Sequence, residues 1–341
     1  MKYTAVVPTK MSSQSALEMR QTLAKYTVSD LLAAAPEGNG AGGVIELDSS
    51  MRPVDAAQVL WKHNILGAPV WDAEKEHYVG FFDMRDILSA VVEYARAMQE
   101  EEGSDSDAYN AIMVSNLEQG MQLKNLHYLA ARNHFYSCSY KTNLIDLCEI
   151  LSKRGCHRVP IVEGSGNDAG RCQNIISQSA LVKFLSATIP STNTALDQTL
   201  DEAKIPYRKE VVSIVDTASA YDAFSLLDSK RLSGIAVVDE DGMLVGNTSA
   251  RDIKYAAIDG GRTAMEQDIL SYLSVVRQSS PGRRERSPIC SVRYDSTVRR
   301  LINLLAKTAY HRVFVVDDKK RPVGVISVAD VIRFAIGNSD Q

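Results

Sequence analysis

Apolar residues in this chain recur in one order: a short strand-like run, a polar turn, a second strand-like run, then a helical stripe. The sharpest copies are Gly234-Ile235-Ala236-Val237-Val238-Asp239 leading to Leu244-Val245-Gly246, and Val313-Phe314-Val315-Val316-Asp317 leading to Val323-Gly324-Val325-Ile326. An earlier copy runs Ala68-Pro69-Val70-Trp71-Asp72, Tyr78-Val79-Gly80-Phe81-Phe82 and Asp83-Met84-Arg85-Asp86-Ile87-Leu88. In these three the glycine precedes an aspartate by six positions, 80 to 86, 246 to 252 and 324 to 330. The remaining copy, Arg158-Val159-Pro160-Ile161-Val162 with Asn174-Ile175-Ile176-Ser177, keeps the offset but has Asn174 for the glycine and Ala180 for the aspartate. Upstream of each hairpin lies an amphipathic stretch such as Ser296 to Leu305, with apolar residues at i, i+3 and i+4. A short strand precedes it, so each unit predicts β-α-β-β-α.

A unit of about fifty residues is small for a core of its own, so consecutive units are expected to pair. The chain then divides into an N-terminal segment (1–26), repeat 1 (27–98), an acidic linker and helix (99–133) and repeat 2 (134–189). An inter-module linker (190–208), repeat 3 (209–260), a helix and basic loop (261–286) and repeat 4 (287–337) follow. Ser15 to Leu32 reads as an amphipathic stretch expected to pack on repeat 1, and Thr263 to Gln278 as an additional helix.

Charge narrows the partners. With 38 Lys and Arg against 42 Asp and Glu, the formal charge is −4, which argues against a general nucleic-acid binder. An anion site would have to be a local cluster. The five cysteines include no CxxC pair and are odd in number, so buried reduced thiols are expected rather than a zinc site or disulfide framework. No window approaches the roughly 18 apolar residues of a membrane span, and a cytoplasmic or nuclear protein without membrane contact is expected.

Two patterns could carry chemistry. Ser249 and Ser327 stand three residues before Asp252 and Asp330 at strand-to-helix junctions, which is the spacing of a capping box. The same junction offers free N–H groups and a positive dipole end to a phosphate, and its carboxylate could accept both hydroxyls of a ribose. Capping explains one such pair; three in register, Asp86 included, favour nucleotide contact. The second pattern is His157-Arg158 and His311-Arg312, immediately before the core strands of repeats 2 and 4, with Arg231 and Ser233 in the corresponding stretch of repeat 3. Arginine supplies a rigid fork of donors and histidine a donor near neutral pH, so their recurrence points to a shared anion.

These residues resemble the cystathionine-beta-synthase (CBS) domain, and the four-copy chain is similar to the gamma regulatory subunit of AMP-activated and SNF1-related protein kinases. The similarity runs from Asp30 to Ile336 and includes Lys183-Phe184-Leu185 beside the motifs above. It implies an α/β fold of four CBS repeats arranged as two Bateman modules in a flattened disc. It further implies AMP, ADP or ATP as regulatory ligands, with ribose at Asp86, Asp252 and Asp330. Phosphate would meet His157, Arg158, Arg231, Ser233, His311 and Arg312, with Ser249 and Ser327 at the helix N-termini. Catalytic (alpha-type) and scaffold (beta-type) subunits would be its partners. The chain departs from the animal subunit at Ser179-Ala180, where that subunit has Lys-Arg, and at Leu66, Tyr207 and Ala329.

No GxxxxGK[ST], HExxH or GxSxG occurs, and Gly164 to Gly170 lies in a hairpin turn without the spacing of a dinucleotide fingerprint. The sequence therefore reads as a regulator with no catalytic cofactor or metal. Two alternatives stand beside the kinase subunit: a CBS scaffold that does not discriminate nucleotides, and a stand-alone sensor of an adenosine ligand.

Overall fold

Every repeat is built on one hairpin, and its register explains the recurring glycine. The computed structural model describes residues 13–34, 43–100, 122–125, 135–153, 156–162, 170–257, 261–278 and 289–337. The acidic run from Glu101 to Asp107, most of the Gly-rich turn and the basic run Arg283 to Arg286 lie outside these residues. The hairpins are Gly67–Asp72 with His77–Asp83, Arg158–Val162 with Cys172–Ser177, Gly234–Val238 with Leu244–Ser249, and Arg312–Val316 with Pro322–Ser327. All four are antiparallel, and all four carry a register shift at one place, after Val70, Ile161, Val237 and Val315. The residues opposite these four are Gly80, Asn174, Gly246 and Gly324. A glycine beside a bulge marks a strong local twist or the close approach of another group. At Gly324 the approaching group is the Tyr207 ring, whose Cδ2 would lie 2.7 Å from an added Cβ.

In repeats 1, 3 and 4 a short first strand, Leu47–Asp48, Ser213–Val215 or Ser291–Val292, pairs parallel with the first hairpin strand. In repeat 2 that strand is reduced to a single bridge, Cys138 to Ile161. The predicted β-α-β-β-α order is otherwise kept, except in repeat 3, where Ser249 leads into a four-residue 3-10 turn, Ala250–Ile253, instead of a regular helix.

The chain forms two compact units, and each joins alternate repeats, whereas the sequence pattern suggested consecutive ones. One contains residues 1–44, 136–210 and 290–341, hence repeats 2 and 4 with the first residues assigned to repeat 1; the other contains 45–135 and 211–289, hence the rest of repeat 1 and repeat 3. The cause lies in the helices. An amphipathic stripe demands a buried face without naming its partner.

In the 2/4 unit, Gln178–Thr188 packs on Val298–Thr308, and Leu144–Ser152 on Val328–Ile336. Leu147, Leu151, Leu181, Leu185, Leu301, Leu305, Val331 and Ile332 are all buried in one core. The segment at 190–208 is not a mere spacer. It buries Leu196, Leu200 and Ile205 in that core, starts a short helix with a Thr199–Glu202 capping box, and bonds Arg208 to Val325 in both directions.

The N-terminal stretch, extending through Ala34 of the residues assigned to repeat 1, also packs here, where packing on repeat 1 was expected. It forms two helices, Gln14–Leu23 and Val28–Ala34, broken where the Asp30 carboxylate accepts the Thr27 N–H and hydroxyl, both at 2.7 Å. Met19, Leu23, Val28 and Leu31 enter the 2/4 core, and the Val28 N–H donates to the Thr142 carbonyl.

All five cysteines belong to the 2/4 unit and none is bonded to another. Burial pushes the thiols of Cys138, Cys156 and Cys290 up to about 11, and that of Cys148 higher still. Since the thiolate is the nucleophile, these should react with a disulfide reagent at pH 8 roughly 100-fold more slowly than a free cysteine. Rapid titration of several thiols in the native protein would contradict this burial.

The 1/3 unit has its own core, from Leu60, Val70, Phe82, Leu88 and Val91 of repeat 1 to Phe224, Leu227, Val237 and Ile253 of repeat 3. The stretch read as one additional helix is two, Gly261–Glu266 and Ile269–Gln278. The break is fixed by Asp268, whose carboxylate caps the Ser271 N–H, and by backbone bonds from Ala220 to Gln267 and from Ile269 to Ala218.

Candidate functional site

The strand-to-helix junction is constructed alike four times. The first N–H after the hairpin donates to the carbonyl of the residue just before it: Met84 to Leu66, Gln178 to His157, Ala250 to Ser233 and Val328 to His311. This bond seats the residue before the strand at the start of the second helix. Arg158 and Arg312 then pair across the hairpins with Ser177 and Ser327, the N-cap residues.

In the 2/4 unit these rules bring the two His-Arg pairs together. The His157 and His311 rings lie 6.5 Å apart, centroid to centroid, at 83°. Both histidines and both following arginines are half-buried. The two imidazoles therefore lie near one another, each with a helix N-terminus beside it.

The aspartates are caps. Asp330 accepts from the Ser327 N–H at 2.8 Å and hydroxyl at 2.6 Å, and the serine oxygen accepts the Asp330 N–H in return. Its other oxygen holds the Arg333 guanidinium, which also donates to the Ser152 carbonyl at 3.1 Å. Arg333 therefore ties the fourth repeat's carboxylate to the helix Leu144–Ser152 of the second. In that second repeat Ser177 still caps Ala180, but the carboxylate is missing.

In the 1/3 unit, Asp252 accepts from the Ser249 N–H at 2.8 Å and hydroxyl at 2.9 Å. Asp86 accepts from the Asp83 N–H at 2.7 Å, so Asp83 stands where the other repeats have serine. Asp83 grips Arg85 through Nε and a terminal nitrogen, the latter at 2.7 Å. Burial opposes the Arg85 charge, but the Asp83 carboxylate, with Asp86 beyond it, raises its proton affinity overall. Ser233 occupies the register of the two histidines, and Gly234 that of the two arginines. Arg231 falls earlier, exposed on a left-handed turn at φ 52°, and so does not share the junction that holds Arg158 and Arg312.

Two contributors escaped the motif reading, Arg333 and Gln178, and a third, Tyr207, stood out only as a departure from the animal subunit. Gln178 had a signal, since the residues at its register are Met84, Ala250 and Val328, all apolar. What Tyr207 touches had no such signal, because only the fold lays it over Gly324 and against Tyr294, ring centroids 5.3 Å apart. Among the described residues no group of three or more His, Cys, Asp or Glu side chains could hold a metal ion.

Known proteins bear on this arrangement. The CBS domain family model matches residues 128–187, 203–259 and 285–337, which are repeats 2, 3 and 4. The 5'-AMP-activated protein kinase subunit gamma-3 of Bos taurus is 20% identical over 297 residues, covering 85% of this chain and 55% of its own length. The gamma subunit of Saccharomyces cerevisiae is 21% identical over 302 residues, covering 87% of this chain and 88% of its own length. Protein SDS23 of Kluyveromyces lactis is 24% identical over 325 residues, covering 85% and 59%. This chain thus spans little more than half the length of the gamma-3 and SDS23 relatives. A solved structure from Methanocaldococcus jannaschii, a candidate archaeal homologue of g-AMPK, superposes with a TM-score of 0.61 at 16% identity, covering 91% of this chain and 99% of that one. The repeated hairpin, its bulge and these matches agree: the chain belongs to the CBS-domain family, as a repeat protein similar to AMP-activated protein kinase gamma subunits and to SDS23.

Proposed function

We propose that this chain is a non-catalytic regulatory subunit of an AMP-activated or SNF1-related Ser/Thr protein kinase. It binds AMP, ADP or ATP at the junctions of its repeats, in complex with catalytic and scaffold subunits in the cytoplasm or nucleus. The observation that carries this reading is the approach of His157 and His311 to 6.5 Å, each beside an arginine and a helix start. Such a cluster suits a phosphate chain shared by two repeats. Ligand binding would regulate by favouring one of two conformations of the complex.

A second reading is favoured by one specific observation. Asp330 has both oxygens engaged, one by Ser327 and one by Arg333, and Ala180 offers no carboxylate. A 2/4 unit with a single junction carboxylate, most of whose lone pairs are held by its own helix start and Arg333, suits a scaffold that does not discriminate nucleotides.

Calorimetric titration of the stripped chain with AMP, ADP and ATP separates the two readings. Because Asp330 is a cap, alanine there would confuse stability with binding; Asp330→Asn keeps an acceptor for Ser327 and removes the charge. Sensing predicts micromolar binding that Arg312→Gln weakens at least tenfold, as loss of a charge-assisted contact requires. No binding by folded wild-type chain would leave the scaffold reading.

A further inference from the structure

The acceptor places of the Asp330 carboxylate can be counted. A carboxylate has about four, two on each oxygen. Oδ2 accepts the Ser327 N–H at 2.8 Å and hydroxyl at 2.6 Å, so the cap fills it. Oδ1 accepts a terminal N–H of Arg333. Among the described residues this leaves one place, on Oδ1.

Arg333 is held on two sides, so a ligand hydroxyl does not simply displace it. It follows Asp330 by three residues and lies on the same face of Val328–Ile336. Its other terminal nitrogen donates to the Ser152 carbonyl at 3.1 Å. That carbonyl ends the helix Leu144–Ser152, where unpaired carbonyls and the negative end of the dipole favour a cation. A planar guanidinium anchored to two helices keeps its direction. The other repeats place Ser89, Lys183 and Tyr255 at this register. Ser89 donates to Asp228, Lys183 follows Ala180 where no carboxylate stands, and Tyr255 brings no charge. Repeat 4 is thus the one repeat with a cation at this register and a carboxylate at its junction.

We infer that Arg333 determines the sugar selectivity of the repeat 4 junction, standing in for one hydroxyl of a ribose so that Asp330 grips only one of the two. This rests on the reading of that junction as a nucleotide site. Two vicinal hydroxyls then compete for a single acceptor, and either one suffices. The junction accepts a 2'-deoxy or a 3'-deoxy sugar about as well as ribose, and loses its hold on a sugar that lacks both hydroxyls.

The test uses the full chain, stripped of ligand and labelled with 15N-valine. Binding is read at the Val328 amide, which starts the repeat 4 helix and is assigned by its absence from Val328→Ile. This probe separates repeat 4 from any nucleotide bound in the 1/3 unit. AMP, 2'-deoxy-AMP, 3'-deoxy-AMP and 2',3'-dideoxy-AMP are titrated in turn. Wild type should bind the first three within roughly threefold of one another and the dideoxy compound at least roughly tenfold more weakly, as loss of a charge-assisted bond requires. Arg333→Met keeps the apolar stem, removes every donor and leaves the Ser152 carbonyl to water. In that variant each monodeoxy compound should bind at least roughly tenfold more weakly than AMP, because Asp330 then holds both hydroxyls. A merely structural role would weaken all four compounds by one factor and leave their ratios unchanged, which overturns the inference. Tenfold discrimination against either monodeoxy compound by wild type overturns it too, even if Arg333→Met does not fold, and leaves the nucleotide reading standing. Dideoxy-AMP bound as tightly as AMP has the same consequence. AMP binding by Arg333→Met alone would sink the nucleotide reading for the natural chain and leave Arg333 as the group in the hydroxyl's place. No response at Val328 in any folded form overturns both.

Discussion

Leu23→Ala is expected to destabilise the 2/4 unit by about 2–5 kcal/mol, although Leu23 lies outside every repeat. Leu23 is fully buried and ends the helix Gln14–Leu23, which packs on Val328–Ile336. Truncation removes the transfer energy of three buried carbons and leaves a cavity that two rigid helices cannot close. Polar ties hold the helix in place as well: the Ser15 hydroxyl donates to the Ala195 carbonyl at 2.6 Å, and Arg20 donates to the Ile336 carbonyl. Leu17, half-exposed on the same helix, is the control, and Leu17→Ala should change stability by less than about 0.5 kcal/mol. Denaturant unfolding read together with amide exchange decides the matter. Exchange should accelerate at Val331 and Ile332 of repeat 4 and stay unchanged at Val70 and Phe82 of repeat 1. Acceleration in repeat 1 alone would mean that the segment packs where its sequence position suggested.

That segment shows how far the sequence could be read. The hairpins were legible because short apolar runs, a polar turn and, in three of the four copies, a glycine opposite the bulge all agree at the level of a few neighbouring residues. The capping boxes were legible for the same reason, since Ser249 to Asp252 and Ser327 to Asp330 are local spacings. Helix partners were not, because an apolar stripe says that a face is buried and not which helix covers it. Pairing of repeat 2 with repeat 4 follows from side-chain fit between helices more than a hundred residues apart. The site divides along the same line. His157 and His311 stood out as a recurring dipeptide, but Arg333 reaching Ser152 and Gln178 reaching His157 exist only once the helices have packed. Asp83 and Arg85 show a third case: the residues were visible in the motif, and their ion pair changed the meaning of the first junction.

Tyr272→Phe should destabilise the 1/3 unit by about 2–4 kcal/mol, for the loss of one oxygen atom. Tyr272 is fully buried, with its ring edge-on to Phe224 and Tyr255. Its hydroxyl donates to the Asp252 carbonyl at 2.7 Å and accepts the Ala256 N–H at 3.1 Å. Asp252 and Ala256 are four residues apart and would bond directly in an α-helix, so the hydroxyl sits inside the ladder. That insertion explains why repeat 3 passes from a 3-10 turn into an irregular one where the sequence predicted a regular helix. Phenylalanine would leave a ring edge between a buried donor and a buried acceptor, each losing its bond to the hydroxyl at about 1–3 kcal/mol. A second consequence is local. The backbone of Asp252 is held by this bond while its carboxylate caps Ser249, so ligand contact at this junction should weaken along with the fold. Calorimetric unfolding of Tyr272→Phe beside Tyr255→Phe provides the comparison. A variant as stable as wild type would show that the 252–256 bond closes on its own, and that the irregular turn belongs to the local sequence and not to Tyr272.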